Sequence, residues 1–155
     1  MIEQLTSQII SKIDEVYQLY YRLILLVGPA GSGKTNIMKQ ISINKSCPLI
    51  NVNLSLSRRL LDLSERKRIL KLPDFMSEII DLTNGDLVLL DNIELLFDVR
   101  LKHDPLRLLQ GISRNVTVVS TWNGSITSGH LIYASPGHPE YHRYPIESFV
   151  VVSMR

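Results

Sequence analysis

Ile2, Leu5, Ile9, Ile13, Val16 and Tyr20 recur at steps of three and four residues, the spacing that gathers side chains on one face of an α-helix. Glu3, Gln4, Ser7, Lys12 and Asp14 fill much of the remaining circumference, so an amphipathic helix is expected over residues 1–21. Its apolar stripe either packs on the chain's own core, the commoner use of such a face, or docks a partner. The pattern then changes abruptly. Leu23 to Val27 is apolar without alternation, as in a strand buried on both faces of a parallel sheet. The turn Gly28-Pro29-Ala30-Gly31-Ser32-Gly33 ends it, and a helix is expected from about Lys34 to Ser42.

A second strand is expected over Leu49 to Leu54. From Ser57 to about Lys71 the pattern becomes helical again, with Leu60, Leu61, Leu63, Ile69 and Leu70 apolar. Pro73 punctuates it and suits the first turn of a further helix reaching Leu82. Asn84-Gly85 signals a turn, and Leu87-Val88-Leu89-Leu90 reads as another buried strand that ends at Asp91. A short helix around Ile93 to Phe97, a helix over Pro105 to Ile112 and a strand over Val116 to Ser120 follow. Ser125 to Pro145, rich in Gly, Pro, His and Tyr, reads as a loop, and Phe149 to Val152 as a closing strand. Strands alternate with helices throughout, which predicts an α/β fold with a mainly parallel, five-stranded sheet flanked by helices.

The length of 155 residues suits one domain with one buried core. A single domain is therefore expected over 1–155, its core spanning 22–155. No apolar run approaches the ~18–20 residues needed to cross a bilayer, and Met1 to Lys12 lacks the basic-then-apolar order of a secretory signal. Cys47 is the single cysteine, so no internal disulfide or thiolate cluster can form. These features predict a cytoplasmic protein with no membrane association. A net charge of +2 is too mild to announce nucleic-acid binding by itself.

Gly28-Pro29-Ala30-Gly31-Ser32-Gly33-Lys34-Thr35 matches G-x-x-x-x-G-K-[ST] at every defined position. At average residue frequencies one position matches by chance about once in 30,000, and the flanking strand and helix make coincidence rarer still. Each residue type has a task. Glycines let consecutive amides turn inward around phosphate oxygens. Lys34 reaches the β- and γ-phosphates, Thr35 offers a hydroxyl to Mg2+, and the helix beginning here, with Asn36 in its first turn, directs its positive end at the anion. The motif therefore predicts ATP, or alternatively GTP, with Mg2+ as cofactor.

Such a loop needs a carboxylate at the end of a neighbouring strand to hold the metal's water shell. Asp91 closes the strand Leu87 to Leu90 and is the expected partner of Thr35 at the metal; an aspartate here could also cap a helix. In the large ATPase group with this layout a glutamate usually follows the aspartate, but here the next residue is Asn92. Asn92 can orient water and cannot take its proton. Glu94 is the nearest carboxylate, either a base turned towards the γ-phosphate or a solvated residue favoured by a helix dipole. Thr121 and Asn123 end the strand after Val116, where a polar group could position water; Asn123 is the favoured one, although Asn123-Gly124 is also an ordinary turn signal.

Weaker constellations remain. Arg58, Arg59, Arg66, Lys67, Arg68 and Lys71 outnumber Asp62 and Glu65 in the same stretch; they form either a solvated helix face or a contact to double-stranded DNA phosphates without sequence readout. An arginine supplied by a neighbouring copy often assists phosphoryl transfer, and Arg143, Arg114 and Arg107 are candidates. His130, His138 and His142 share a segment, but Pro139 breaks the helix that a metal-binding spacing would need. Tyr133, Tyr141 and Tyr144 either cover the sheet edge or present a contact surface.

With GPAGSGKT at Gly28 to Thr35, NVNLSLSRRLL at Asn51 to Leu61, LLDNIELLFD at Leu89 to Asp98, DPLRLLQGISRN at Asp104 to Asn115 and PGHPEYHRYP at Pro136 to Pro145, nearly the whole chain resembles the BrxF family, small P-loop proteins of type III BREX phage-defence systems. More distantly, the layout looks like an AAA+ ATPase core lacking its helical lid, for which little chain remains after the last strand. The resemblance implies a component of a bacterial defence complex that separates phage DNA from methylated host DNA. It implies nucleotide-promoted homo-oligomers and other BREX subunits as partners. A missing lid would also remove the usual second sensor arginine.

Overall fold

In the computed structural model, which describes residues 1–154, the unbroken apolar run after the first helix forms β1 (Leu23–Gly28), buried at every position. Neighbouring side chains on a strand point to opposite faces. Leu23, Leu25 and Val27 therefore enter one apolar cluster, and Ile24 and Leu26 enter another. β1 pairs in parallel with β4 (Thr117–Asn123) and with β8 (Val150–Ser153). β3 (Leu87–Asp91) lies parallel to β4, and β2 (Leu49–Asn51) lies parallel to β3. The five strands run β2-β3-β4-β1-β8, an α/β sheet with β3, β4 and β1 at its interior; the apolar runs of β1 and β3 both fall there, as expected of buried strands.

One face is covered by α1 (Ile2–Val16) and α2 (Lys34–Lys45). Leu5, Ile9, Ile13 and Val16 of α1 join Ile37, Met38 and Ile41 of α2 over Ile24, Leu26, Leu89 and Val119. The stripe on the first helix is thus spent on the chain's own core. Tyr20, the last member of the expected periodicity, lies beyond the helix and is 63% exposed. The other face carries α3 (Val52–Leu60), α4 (Glu65–Asp81) and α5 (Pro105–Ile112), whose Leu56, Leu72, Met76 and Leu109 pack with Val88, Leu90 and Trp122.

Three segments depart from the sequence pattern. β2 stops at Asn51, whose side chain accepts a hydrogen bond from the Leu54 amide at 3.1 Å and starts α3 three residues before the expected strand end. This is helix capping overriding a β-prone run. The helix break lies at Leu61 to Ser64, and α4 passes straight through Pro73. Proline has no N–H to give the Ile69 carbonyl four residues earlier, but the Nε2 of His103 lies 2.7 Å from that oxygen and donates to it. Finally, Ser125 to Pro145 is no loop. It folds as β5 (Ser125–Thr127), β6 (His130–Tyr133) and β7 (His142–Pro145), an antiparallel three-stranded sheet. The Trp122 indole donates to the Ile132 carbonyl at 3.1 Å and ties this sheet to β4.

Among the described residues no helix is long and apolar enough to cross a membrane, and no group of three His, Cys, Asp or Glu side chains could hold a metal ion. His130 and His142 fall on separate strands, and His138 lies in the turn between β6 and β7.

Candidate functional site

The Gly28-to-Thr35 loop joins the carboxyl end of β1 to the amino end of α2. Gly31 and Gly33 have φ of +78° and +97°, a region that residues with a Cβ rarely adopt. Gly33 is also the residue before the first turn of α2. The leading amides of a helix have no intrahelical acceptor, so the start of α2 at Lys34, Thr35 and Asn36 supplies donors suited to an anion, backed by the helix dipole.

Lys34 is 6% exposed. Its Nζ donates to the carbonyls of Gly28 and Pro29, both at 2.8 Å, and to Ser32 Oγ at 3.4 Å. The ammonium thus closes the loop on itself. Burial pulls its pKa down, and the carboxylates of Glu94 and Asp91 push it back up. That electrostatic link joins two residues far apart in sequence to the loop.

Asp91 ends β3 and is 6% exposed. Its Oδ2 accepts from the Thr35 hydroxyl at 2.7 Å. Its Oδ1 accepts from the Thr121 hydroxyl and from the Asn92 amide, both at 2.9 Å. The β3–β4 register, with Leu90 opposite Ser120, brings Thr121 level with Asp91. Thr35 and Asp91 together present a hydroxyl and a carboxylate, the hard oxygen donors that Mg2+ prefers. They fit such an ion.

Past Asp91 the chain turns through Asn92, whose φ is +54°. Asparagine tolerates this left-handed conformation far better than glutamate does, which gives a backbone reason for the residue found there. Asn53 fastens the turn. Its amide donates to the Asn92 carbonyl at 2.8 Å, its Oδ1 accepts from the Leu95 amide at 2.7 Å, and its Nδ2 donates to Glu94 Oε1 at 3.3 Å. Glu94 begins a 3₁₀ turn (Glu94–Phe97).

These elements enclose a cleft of roughly 380 Å³ lined by Ala30, Gly31, Gly33, Lys34, Thr35, Asn36, Asp91, Asn92, Glu94 and Asn123. The residues predicted for phosphate, metal and water chemistry therefore meet in one place. Gly28, Pro29 and Ser32 take part through their bonds to Lys34. Of the two polar residues weighed on β4, Asn123 lines the cleft while Thr121 grips Asp91. Asn53 is the residue the sequence pattern concealed: an expected strand reaching Leu54 hid the helix start that aims it at Glu94. An asparagine just past Asn51, itself a capping type, was the available signal.

The other candidates lie elsewhere. Arg107, Arg114 and Arg143 are exposed and line no part of this cleft; Arg114 stacks on the Tyr20 ring at 4.5 Å. In the basic stretch Arg59 pairs with Glu78 at 3.4 Å and Arg68 donates to the carbonyls of Leu63 and Leu61. Arg58, Arg66, Lys67 and Lys71 are exposed. Tyr133 and Tyr144 join Phe97, Trp122 and His142 in an aromatic cluster, and burial pushes the Tyr133 hydroxyl up to about 12.

No family model and no curated protein matches the chain. Among solved structures it is similar to PCH-2 of C. elegans, with 23% identity over 79% of this chain, 37% of that one, and a TM-score of 0.46.

Proposed function

We propose that this protein binds ATP with Mg2+ in the cleft between the Gly28-to-Thr35 loop and Asp91, and that it is a Mg2+-dependent ATPase whose nucleotide state controls assembly of copies of the chain. One observation carries the reading: Lys34, Thr35 and Asp91 converge on one cleft at the amino end of α2, with a hydroxyl–carboxylate bond of 2.7 Å between the last two. The strand order β2-β3-β4-β1-β8 supports a P-loop NTPase core of the AAA+ type, in which this cleft lies at the carboxyl ends of the interior strands.

The chain's own groups account for the binding. Loop amides and the Lys34 ammonium neutralise phosphate oxygens, and Thr35 and Asp91 would hold the metal directly and through its water. Mg2+, when bound, supplies charge that stabilises the phosphoryl group in transfer. Asn123 orients a water, and a Glu94 carboxylate oxygen accepts its proton. Isothermal titration of Mg·ATP into wild type and Lys34→Ala, with phosphate release measured at high protein concentration with and without duplex DNA, tests this. Heat and turnover in wild type alone are expected; neither in wild type would refute it.

A second reading is a nucleotide-gated assembly or DNA-binding module with little turnover. Its support is the left-handed backbone at Asn92, which disfavours the usual glutamate, and the bond that engages Glu94 with Asn53. It predicts that a γ-thio analogue drives oligomers as well as ATP does. The resemblance to the BrxF family extends either reading to a phage-defence complex containing other BREX subunits. The exposed Arg58, Arg66, Lys67 and Lys71 offer a surface for DNA phosphates there.

A further inference from the structure

Thr121 does not line the cleft, yet it is one of the few polar side chains in the sheet interior, 2% exposed and on the central strand β4. A buried hydroxyl keeps its place only when its hydrogen bond is made. That bond runs to Asp91 Oδ1 at 2.9 Å, and the Asn92 amide shares the same oxygen at 2.9 Å. The other oxygen, Oδ2, has a single side-chain donor, the Thr35 hydroxyl at 2.7 Å, and both Thr35 and Asp91 line the cleft. The carboxylate is therefore asymmetric. One oxygen is fixed by groups that belong to the sheet and the following turn, while the other is held only by a group able to turn away.

We propose that Thr121 is a positioning residue for Mg2+: its hydroxyl locks the rotation of the Asp91 carboxylate so that Oδ2 is presented to a metal ion at Thr35. The inference rests on the nucleotide reading above. Without the hydroxyl, Oδ1 keeps the Asn92 amide alone, and the carboxylate gains freedom to rotate that metal binding must remove. Supporting groups around metal ligands commonly change metal affinity by about 10–100-fold. The loop amides and Lys34 bond to phosphate without Asp91, so nucleotide affinity in the absence of metal does not depend on Thr121.

The test compares wild type, Thr121→Val and Thr121→Ser, measuring fluorescent-ATP binding by anisotropy in EDTA and across a Mg2+ titration, with thermal melting alongside. Thr121→Val is expected to raise the Mg2+ midpoint about tenfold and to leave the EDTA affinity unchanged, and Thr121→Ser to restore the wild-type midpoint. Wild type that binds no nucleotide in either condition overturns the nucleotide reading, and this inference with it. Wild type that binds while Thr121→Val keeps its Mg2+ midpoint overturns the role of Thr121 alone. A Thr121→Val protein weakened equally in EDTA and in Mg2+ makes the hydroxyl merely structural, which also overturns it. If the valine variant fails to fold, the serine variant decides: a midpoint shifted by more than about threefold, less than the ~10-fold that loss of such a support costs, refutes the hydroxyl as the cause.

Discussion

Replacing His103 by leucine isolates the device that lets a helix run through a proline. Pro73 has no N–H, so the Ile69 carbonyl lacks its helical donor, and His103 Nε2 at 2.7 Å takes that place. An orphaned buried carbonyl costs about 1–3 kcal/mol; both His103 and Ile69 are only half-buried, which puts the loss near the lower end, about 1–1.5 kcal/mol. For a chain of this size that lowers Tm by roughly 2–6 °C. In Pro73→Ala the new amide can donate to Ile69 in the ordinary helical pattern, and the His103 bond becomes redundant. The lost packing of the imidazole is common to both backgrounds and cancels in a double-mutant cycle. The cycle is therefore expected to give a coupling of about 1 kcal/mol, above the roughly 0.3–0.5 kcal/mol scatter of independent sites. Urea unfolding followed by fluorescence of Trp122, which is fully buried, measures all four proteins. Additive losses would refute the argument, because His103→Leu would then cost the same whether or not position 73 can donate.

Gly124→Ala places a Cβ well inside van der Waals distance of the Ile132 carbonyl oxygen, to which the Trp122 indole is also bonded; a loss of at least about 2 kcal/mol is expected from such overpacking, and a variant melting within 2 °C of wild type, a shift worth only ~1 kcal/mol at this size, would contradict it. Glu94→Gln keeps an oxygen for Asn53 to donate to but cannot take a proton. Under the ATPase reading, phosphate release falls about 100-fold with ATP affinity little changed, whereas equal turnover would favour the gated module. Desolvation raises the Cys47 thiol above its ordinary pKa, so less reactive thiolate is present at neutral pH. Alkylation should be slower than for free cysteine and should recover on unfolding; a native rate matching the free thiol would count against that burial.

Residue order alone makes legible those parts of the molecule whose physics is local. Leu23 to Val27 and Leu87 to Leu90 are apolar at every position, the pattern of a strand covered on both faces, and the turn residues that bound them set their short length. The spacing of Gly28, Gly33, Lys34 and Thr35, followed by Asp91 at a strand end, picked out residues of which Gly33, Lys34, Thr35 and Asp91 line one cleft. Tertiary structure decided whatever depends on a partner distant along the chain. Pro73 reads as a break until His103, thirty positions later, supplies the donor missing at the Ile69 carbonyl. Residues 125–145 read as a loop because their Gly, Pro and Ser are turn-prone, yet strand pairing of His130 to Tyr133 with the segments on either side makes a sheet. Thr121 and Asn53 look like an ordinary strand residue and an ordinary polar one. Parallel register sets the first against Asp91, and the cap at Asn51 turns the second towards Glu94. Periodicity records which face a side chain takes; which hydroxyl or amide waits opposite is fixed only once strands and helices are laid side by side.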